Sequence, residues 1–226
     1  MNLQRFLILT GILCLPFMSS GQRLWDGEYN RLGLQAGINH FTIQTSEPLP
    51  ISSGISWTAG FTTWDSFYND FMFIYGINFY DLKLTMDGRE NEDPDSPYAE
   101  IPFTMLGVQA NFFGSYKIVD HYLSIHAGPI LQLNGKFDAR QDAEYFTIEG
   151  FEANPIDLEE ISKLNFNLAI GLAGGLEKVK LWVQYQYGVN NIFKKLTDDG
   201  LGEKDPKLEN LTGHISMVTG GLIVFL

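Results

Sequence analysis

The residues best suited to chemistry in this 226-residue chain lie near its C-terminal end, where His214 and Ser216 are two positions apart. Side chains at i and i+2 of a strand share a face, so an imidazole and a hydroxyl would be neighbours there. A histidine that removes the hydroxyl proton makes the serine a nucleophile, and an acid such as Glu209 would orient the histidine. No wider hydrolase motif accompanies the pair. We therefore interpret it as an ordinary polar pair and keep hydrolysis as an alternative.

Two further polar residues stand in apolar surroundings. His126 has no second ligand at metal-binding spacing, which favours a hydrogen-bonded interior residue over a metal ligand. Glu100 begins an apolar segment and allows two interpretations. It is either a charge inside the fold or at its rim, paired with Lys136, Lys163 or Arg89, or an acid at a loop boundary in water.

No metal site or cofactor is predicted. Asn91, Asp93 and Asp95 alternate in an oxygen-rich loop of the kind that can hold Ca²⁺, but the loop lacks the glycine and glutamate spacing of an EF-hand. Cys14 is the only cysteine and lies in the N-terminal apolar run, so the mature chain would have neither disulfides nor cysteine-based metal sites. The net charge of −12 argues against nucleic acid as a partner.

The N-terminus has the pattern of a secretory signal. Arg5 precedes the apolar run Phe6–Phe17, which is too short to span a bilayer, and small residues follow at 19–21. We therefore predict a cleaved signal peptide over 1–21 and one domain over 22–226.

The polar candidates above are positioned by segments in which every second residue is apolar. In Gly54–Trp64, Ile55, Trp57 and Phe61 alternate with Ser56, Thr58 and Thr62. Such a strand has one apolar and one polar face. Eight segments show this pattern or end the chain: Leu32–Ile38, Gly54–Trp64, Phe71–Phe79, Ala99–Phe113, Leu123–Asn134, Leu164–Leu172, Leu181–Asn190 and His214–Leu226. The fourth is apolar on both faces and glycines interrupt the eighth, so the facing of these two is not assigned.

Connections between the segments alternate strictly between short and long. The polar faces carry Gln, Asn, Ser, Thr and Gly and almost no charged residues, whereas acidic residues are concentrated in the long connections. A soluble strand that faces water would carry Lys, Glu and Arg. The pattern predicts an all-β fold, an eight-stranded antiparallel up-and-down transmembrane β-barrel with short periplasmic turns and long extracellular loops. Its candidate lumen or rim polar residues are Glu100, His126, Gln184, Gln186, His214 and Ser216.

Four stretches resemble the PorT-like outer-membrane β-barrel proteins of Bacteroidetes. They are Leu32–Asn39, Tyr98–Phe103 with its Tyr-x-Glu-Ile-Pro order, Ala127–Pro129 and Gln184–Ile192. The resemblance covers almost the whole mature chain and implies a barrel in the outer membrane of a Gram-negative bacterium. The family takes its name from a protein tied to a secretion system.

An eight-stranded barrel is narrow enough for its own side chains to fill. We therefore expect a non-enzymatic barrel whose acidic extracellular loops contact an envelope or surface partner, including a secretion complex. The expected surroundings are outer-membrane lipids and lipopolysaccharide, whose phosphates the acidic loops could reach through divalent cations. Two alternatives stay open: a narrow passive channel, and an outer-membrane lipid A-modifying hydrolase that uses His214 and Ser216.

Overall fold

The structure, a computed structural model, describes residues 31–90, 96, 98–139 and 143–226. The predicted signal peptide and the oxygen-rich loop residues Asn91, Asp93 and Asp95 lie outside the described residues. None of the helices in the described ranges is long and apolar enough to cross a membrane.

The strands in the described ranges are β1 Arg31–Thr45, β2 Ile51–Tyr68, β3 Phe71–Glu90, β4 Tyr98–Val119, β5 Leu123–Asn134, β6 Asp138–Ala139, β7 Phe146–Ile148, β8 Leu164–Gly175, β9 Val179–Gly188 and β10 Gly213–Phe225. The eight long strands pair with antiparallel neighbours and close a ring in the order β1-β2-β3-β4-β5-β8-β9-β10, with β10 returning to β1. The short strands β6 and β7 pair with β4 and β3 outside the ring. The predicted eight-stranded antiparallel barrel is therefore confirmed.

The connections are sorted by length between the two ends of the barrel. Tight turns join β2 to β3, β4 to β5 and β8 to β9, and Asn69 adopts a left-handed φ of 50° in the first of them. Asparagine tolerates that conformation better than most residues. The other end, which we call the looped end, carries 46–50, the connection from β3 to β4, the described parts of 135–163, and 189–212. The first of these is shorter than predicted, because β1 and β2 both run further than the alternation indicates.

The two longest connections contain regular structure of their own. Helices α1 (Lys194–Asp198) and α2 (Leu201–Lys204) lie in 189–212, followed by a 3₁₀ turn at Pro206–Leu208. Two more 3₁₀ turns, Ala143–Tyr145 and Pro155–Leu158, lie with β6 and β7 in 135–163. These segments fold over one end of the ring.

Alternation along each strand separates an outward apolar face from the interior. On β2, Ile55 is 73% exposed and Phe61 is also exposed, while Ser56, Thr58 and Thr62 are buried. The same separation holds along β5, β8 and β9. The predicted facing of these strands is confirmed.

The two unassigned strands turn mainly apolar residues inward at the looped end. On β4 the inward residues there are Ile101, Phe103 and Met105, and on β10 they are Ile215 and Met217. Both faces of β4 are apolar because the interior at this end is an apolar core and not a polar lumen. A second apolar cluster fills the short-turn end; it contains Trp64, Ile74, Phe113, Ile130, Ala169, Ala173, Ile223 and Phe225.

Candidate functional site

Amide side chains cross the middle of the barrel and hydrogen-bond to one another. The Gln109 amide nitrogen on β4 donates to the carbonyl oxygens of Gln132 on β5 (3.1 Å) and Gln186 on β9 (3.2 Å). Asn167 on β8 donates to Gln132 at 2.5 Å, and Gln132 donates to Asn134 at 2.7 Å. An amide carries both donors and acceptors, so amides satisfy one another without the desolvation cost of a charge. We call these five residues the amide belt.

Tyr80 borders the amide belt on the side of the looped end. Its hydroxyl donates to the Asn134 side-chain oxygen at 2.5 Å, and its ring is 1% exposed. The ring passes over Gly107 of β4, where a Cβ would come within 2.1 Å of the hydroxyl oxygen. Gly107 therefore gives Tyr80 the room to reach Asn134.

The space left in the interior is small. A cavity of about 30 Å³ remains between the strands, and Asn39, Thr219 and His126 are among its lining residues. One water needs roughly 10–15 Å³ of such volume, so two or three waters would fill it. The buried Asn39 amide and Thr219 hydroxyl have no protein partner among the described residues, so they are placed to bond water there. The interior is a filled core and not a continuous passage.

The segments 135–163 and 189–212 seal the looped end with apolar side chains. We call these two segments the cap. The cap contributes Phe137, Ala143, Phe146, Ile148, Ala153, Leu158, Ile161, Ile192, Phe193, Leu196, Leu201, Leu208 and Leu211 to one buried cluster. They pack against Leu82, Leu84 and Met86 of the extended part of β3 and against the inward residues of β4. Burial of a large apolar side chain contributes roughly 1.5–3 kcal/mol, so the cap is a folded unit of the barrel.

A buried carboxylate joins the two cap segments. Asp205 is 1% exposed, and its oxygens accept hydrogen bonds from the backbone amides of Lys207 (2.9 Å) and Glu152 (2.7 Å). The first bond caps the 3₁₀ turn that begins at Pro206. The second ties 189–212 to 135–163.

Charged pairs hold the outer surface of the cap. Arg89 donates to a Glu149 oxygen at 2.7 Å and lies 4.0 Å over the Tyr98 ring. The hydrogen bond from Arg89 lowers the pKa of Glu149. Glu160 accepts hydrogen bonds from Lys136 (2.7 Å) and Lys195, and these two bonds lower its pKa to about 2.

Three of the six predicted lumen or rim residues lie inside. His126 is 4% exposed, stacks on Phe113 at a ring distance of 5.2 Å, and has its Nε2 3.3 Å from the Gln184 side-chain oxygen. Gln184 and Gln186 are buried beside it. These three side chains belong to the polar middle layer of the interior.

The other three, for which a place in the lumen or at the rim was predicted, lie within the first four residues of their strands at the looped end and do not enter the lumen. His214 and Ser216 alternate with the inward Ile215 and Met217, which turns the pair to the outer face. Glu100 is exposed on the outer face of β4 for the same reason. Lys136, one of its predicted partners, has Glu160 as an ion-pair partner.

His214 and Ser216 are each held by a neighbour on β9. His214 Nδ1 lies 3.0 Å from the Gly188 carbonyl oxygen, and its ring stacks on Tyr187 at 5.7 Å. The Ser216 hydroxyl donates to the Tyr185 hydroxyl at 3.2 Å. In the ranges that the structure describes, no cluster of three or more His, Cys, Asp or Glu side chains could hold a metal ion.

The cap core is the feature that sequence reasoning missed. Leu196, Leu201, Leu208 and Leu211 recur through the last long connection at intervals of three to seven residues. A loop that lies free in water does not require that density of leucine. This recurrence is the signal from which a folded cap could have been predicted.

Similar folds occur among solved structures, at low identity. Neisserial surface protein A is 14% identical with a TM-score of 0.43, and the match covers 86% of this chain and 97% of that chain. The attachment invasion locus protein Ail of Yersinia pestis is 13% identical with a TM-score of 0.42, and the match covers 87% of this chain and 99% of that chain. The outer membrane protein OprG of Pseudomonas aeruginosa is 8% identical with a TM-score of 0.48, and the match covers 88% of this chain and 97% of that chain. Scores of this size do not identify a family. No protein-family model matches the sequence, and neither does any curated protein sequence.

Proposed function

We propose that this protein is a non-enzymatic, non-conducting barrel of the outer membrane of a Gram-negative bacterium, and that its cap presents a rigid surface to an envelope or surface partner. The observation that carries the proposal is the combination of an apolar exterior with a sealed interior. Outward residues from every strand of the ring are more than one third exposed, including Leu34, Ile55, Ile77, Phe112, Leu131, Leu168, Leu181 and Val218. A continuous apolar exterior of this extent is unstable in water and stable in lipid.

Outward aromatic side chains near both ends of the strands support the same environment. Phe71 and Tyr116 contact each other near the short turns, at a ring distance of 5.2 Å. Tyr187 is exposed toward the looped end of β9. Aromatic rings favour the two membrane–water interfaces, so these positions mark the expected limits of the hydrocarbon layer.

Both alternative functions lack a matching geometry. A narrow channel requires a continuous water path, whereas apolar clusters occupy both ends of this interior and amide side chains fill the middle. A hydrolase would use His214 to activate Ser216, whereas each of these side chains is bonded to β9. We therefore favour display of a surface over transport or hydrolysis.

The export route and the family belong to the proposal as well. The apolar run Phe6–Phe17 behind Arg5 supports a cleaved signal peptide. The four stretches that resemble PorT-like proteins support membership of that group and an association with secretion. Acidic side chains exposed on the cap, among them Glu144, Glu203 and Glu209, would face such a partner.

Two measurements on purified protein test the membrane barrel. Unboiled protein should migrate differently from boiled protein on a gel, because a closed barrel resists detergent at room temperature. Planar bilayers that contain the protein should show no stable conductance steps. Identical migration would overturn the membrane barrel, and reproducible steps would overturn the sealed interior.

The proposed display role is tested by capture from native membranes. Crosslinking from cysteines introduced singly at the exposed cap residues Glu144 and Glu203 should trap the same partner. A cysteine at Leu176, in the turn between β8 and β9, is the matched control. Partners that crosslink only from the short-turn end would contradict a role for the cap.

A further inference from the structure

Four lysines come together at the looped ends of β5, β8 and β9. Lys136 follows β5, Lys163 immediately precedes β8, and Lys194 and Lys195 begin α1. Backbone hydrogen bonds bring these segments side by side, from Asn134 N to Lys163 O (2.7 Å) and from Ser162 N to Ile192 O (2.8 Å). We call Lys136, Lys163, Lys194 and Lys195 the basic rim.

One carboxylate organises half of the basic rim. Glu160 accepts from both Lys136 and Lys195, which fixes two ammonium groups close together. Glu159 and Asp138 also face Lys136. Lys163 and Lys194 are exposed and have no ion-pair partner in the described part of the chain. The ammonium groups of Lys163 and Lys194 are therefore available to bind an anion, although the chain as a whole has a net charge of −12.

The basic rim stands directly above the outward apolar face. Leu133 and Leu164 form the last cross-strand pair of β5 and β8, and they are 53% and 56% exposed. Lys163 precedes Leu164, and Lys136 comes three positions after Leu133. Phe166, the next outward residue of β8, is exposed below them. Acyl chains that cover these apolar side chains would hold their head group level with the lysines.

We propose that the basic rim binds the phosphate groups of a phosphorylated lipid in the outer leaflet, with the acyl chains lying on the apolar face of β5 and β8. This inference rests on the proposed membrane location. A phosphate dianion pairs with several ammonium groups at once, and the apolar face below selects an amphiphile over a soluble phosphate. Elsewhere on the cap, the exposed carboxylates of Glu144, Glu203 and Glu209 would repel phosphate.

The test compares two double variants of the full chain. Lys163→Gln with Lys194→Gln removes the unpaired lysines and leaves the Glu160 bridges intact. Lys117→Gln with Lys178→Gln removes two lysines at the short-turn end as the matched control. Each protein, in phosphatidylcholine micelles, is titrated with diphosphoryl lipid A, and inorganic phosphate is added as a competitor. Heat-modified migration is recorded for each variant, so that loss of the barrel is distinguished from loss of the lipid site.

The first double variant should bind diphosphoryl lipid A at least about tenfold more weakly, since it removes both lysines that have no ion-pair partner in the described part of the chain. The control should bind as the wild type does, and millimolar inorganic phosphate should not displace the lipid. Unchanged binding by the first variant, or an equal loss in the control, would overturn the lipid site. Complete displacement by inorganic phosphate would overturn the lipid as its ligand. Absence of heat-modified migration in the wild type would instead overturn the proposed function.

Discussion

The backbone amide of Glu152 donates to the carboxylate of Asp205 at 2.7 Å, although 53 positions separate the two residues in the chain. Each belongs to a different segment of the cap. Because Asp205 is buried and also caps the turn at Pro206, this one side chain connects the two halves of the cap to each other. The cap is therefore a folded layer, and its stability can be altered separately from that of the strands.

Replacement of Asp205 by alanine should loosen the cap and leave the ring closed. Two backbone amides lose their acceptor, at a cost of roughly 1–3 kcal/mol each when the donor stays buried. Limited proteolysis should then cleave within 135–163 or 189–212 at least about tenfold faster, while heat-modified migration persists. Asp199→Ala, at an exposed position of the same segment, is the control. Equal cleavage rates for both variants would show that Asp205 does not hold the cap.

Acid should weaken the contact between Glu160 and its two lysines. Its pKa in the folded protein is about 2, below its ordinary value of 4.5. A carboxyl with a depressed pKa stabilises the fold fully above the ordinary value and loses that contribution as pH falls through the depressed one. The protection factor for hydrogen exchange at the backbone of α1, which is the intrinsic exchange rate at each pH divided by the observed rate, should therefore fall below about pH 4.5 and be lowest near pH 2.

The Glu160→Gln variant isolates this carboxyl from the other acids of the chain. It should exchange faster than the wild type at neutral pH, and the difference between the two proteins should vanish near pH 2. A difference that stays constant with pH would mean that Glu160 acts through packing and not through its charge.

Replacement of Gln132 by leucine should destabilise the barrel from within. Gln132 accepts from Gln109 and Asn167 and donates to Asn134, so the substitution leaves three buried amides with a lost partner. The expected loss is several kcal/mol, since each unsatisfied buried group costs roughly 1–3 kcal/mol. This loss of stability is measured by unfolding in urea, with the folded fraction read from the gel migration of unboiled protein. Gln44→Leu, on the exposed outer face of β1, should change little, and a comparable loss there would argue against the amide belt as the cause.

A charge on the outward face should oppose membrane insertion. Leu168 lies near the middle of β8 and is exposed, so Leu168→Arg should cost about 2–4 kcal/mol if the face meets the hydrocarbon layer. Leu176→Arg, in the turn between β8 and β9, should cost less than about 1 kcal/mol. Folding titrations into phosphatidylcholine vesicles compare the two. Equal costs at both positions would contradict lipid contact at Leu168.

Alternation was sufficient to predict the facing of six strands in the ring. Along β2, Ile55 and Phe61 differ so clearly from Ser56 and Thr58 that only one register satisfies both faces. The same rule did not settle the facing of His214 and Ser216, because glycines interrupt both faces of that segment. Polar residues signal the interior only where the interior is polar, and the looped end of β10 borders the apolar core of the cap.

The cap could not be predicted from strand periodicity at all. Phe137, Leu158 and Leu208 occupy connections without a fixed repeat, and their burial depends on contacts with strands far away in sequence. The length of β3 was underestimated for a related reason. Its second half, around Leu84, is buried against the cap, so the alternation of polar and apolar residues weakens where the strand continues.

Closure of the ring and completion of the cap core depend on the same pair of strands. Phe41 faces Met217 and Ile43 faces Ile215 across β1 and β10, and all four side chains belong to the cap cluster. The cap therefore cannot reach its native packing until the first and last strands of the ring have met. A chain whose first and last strands have not paired therefore lacks part of the apolar floor on which the cap packs.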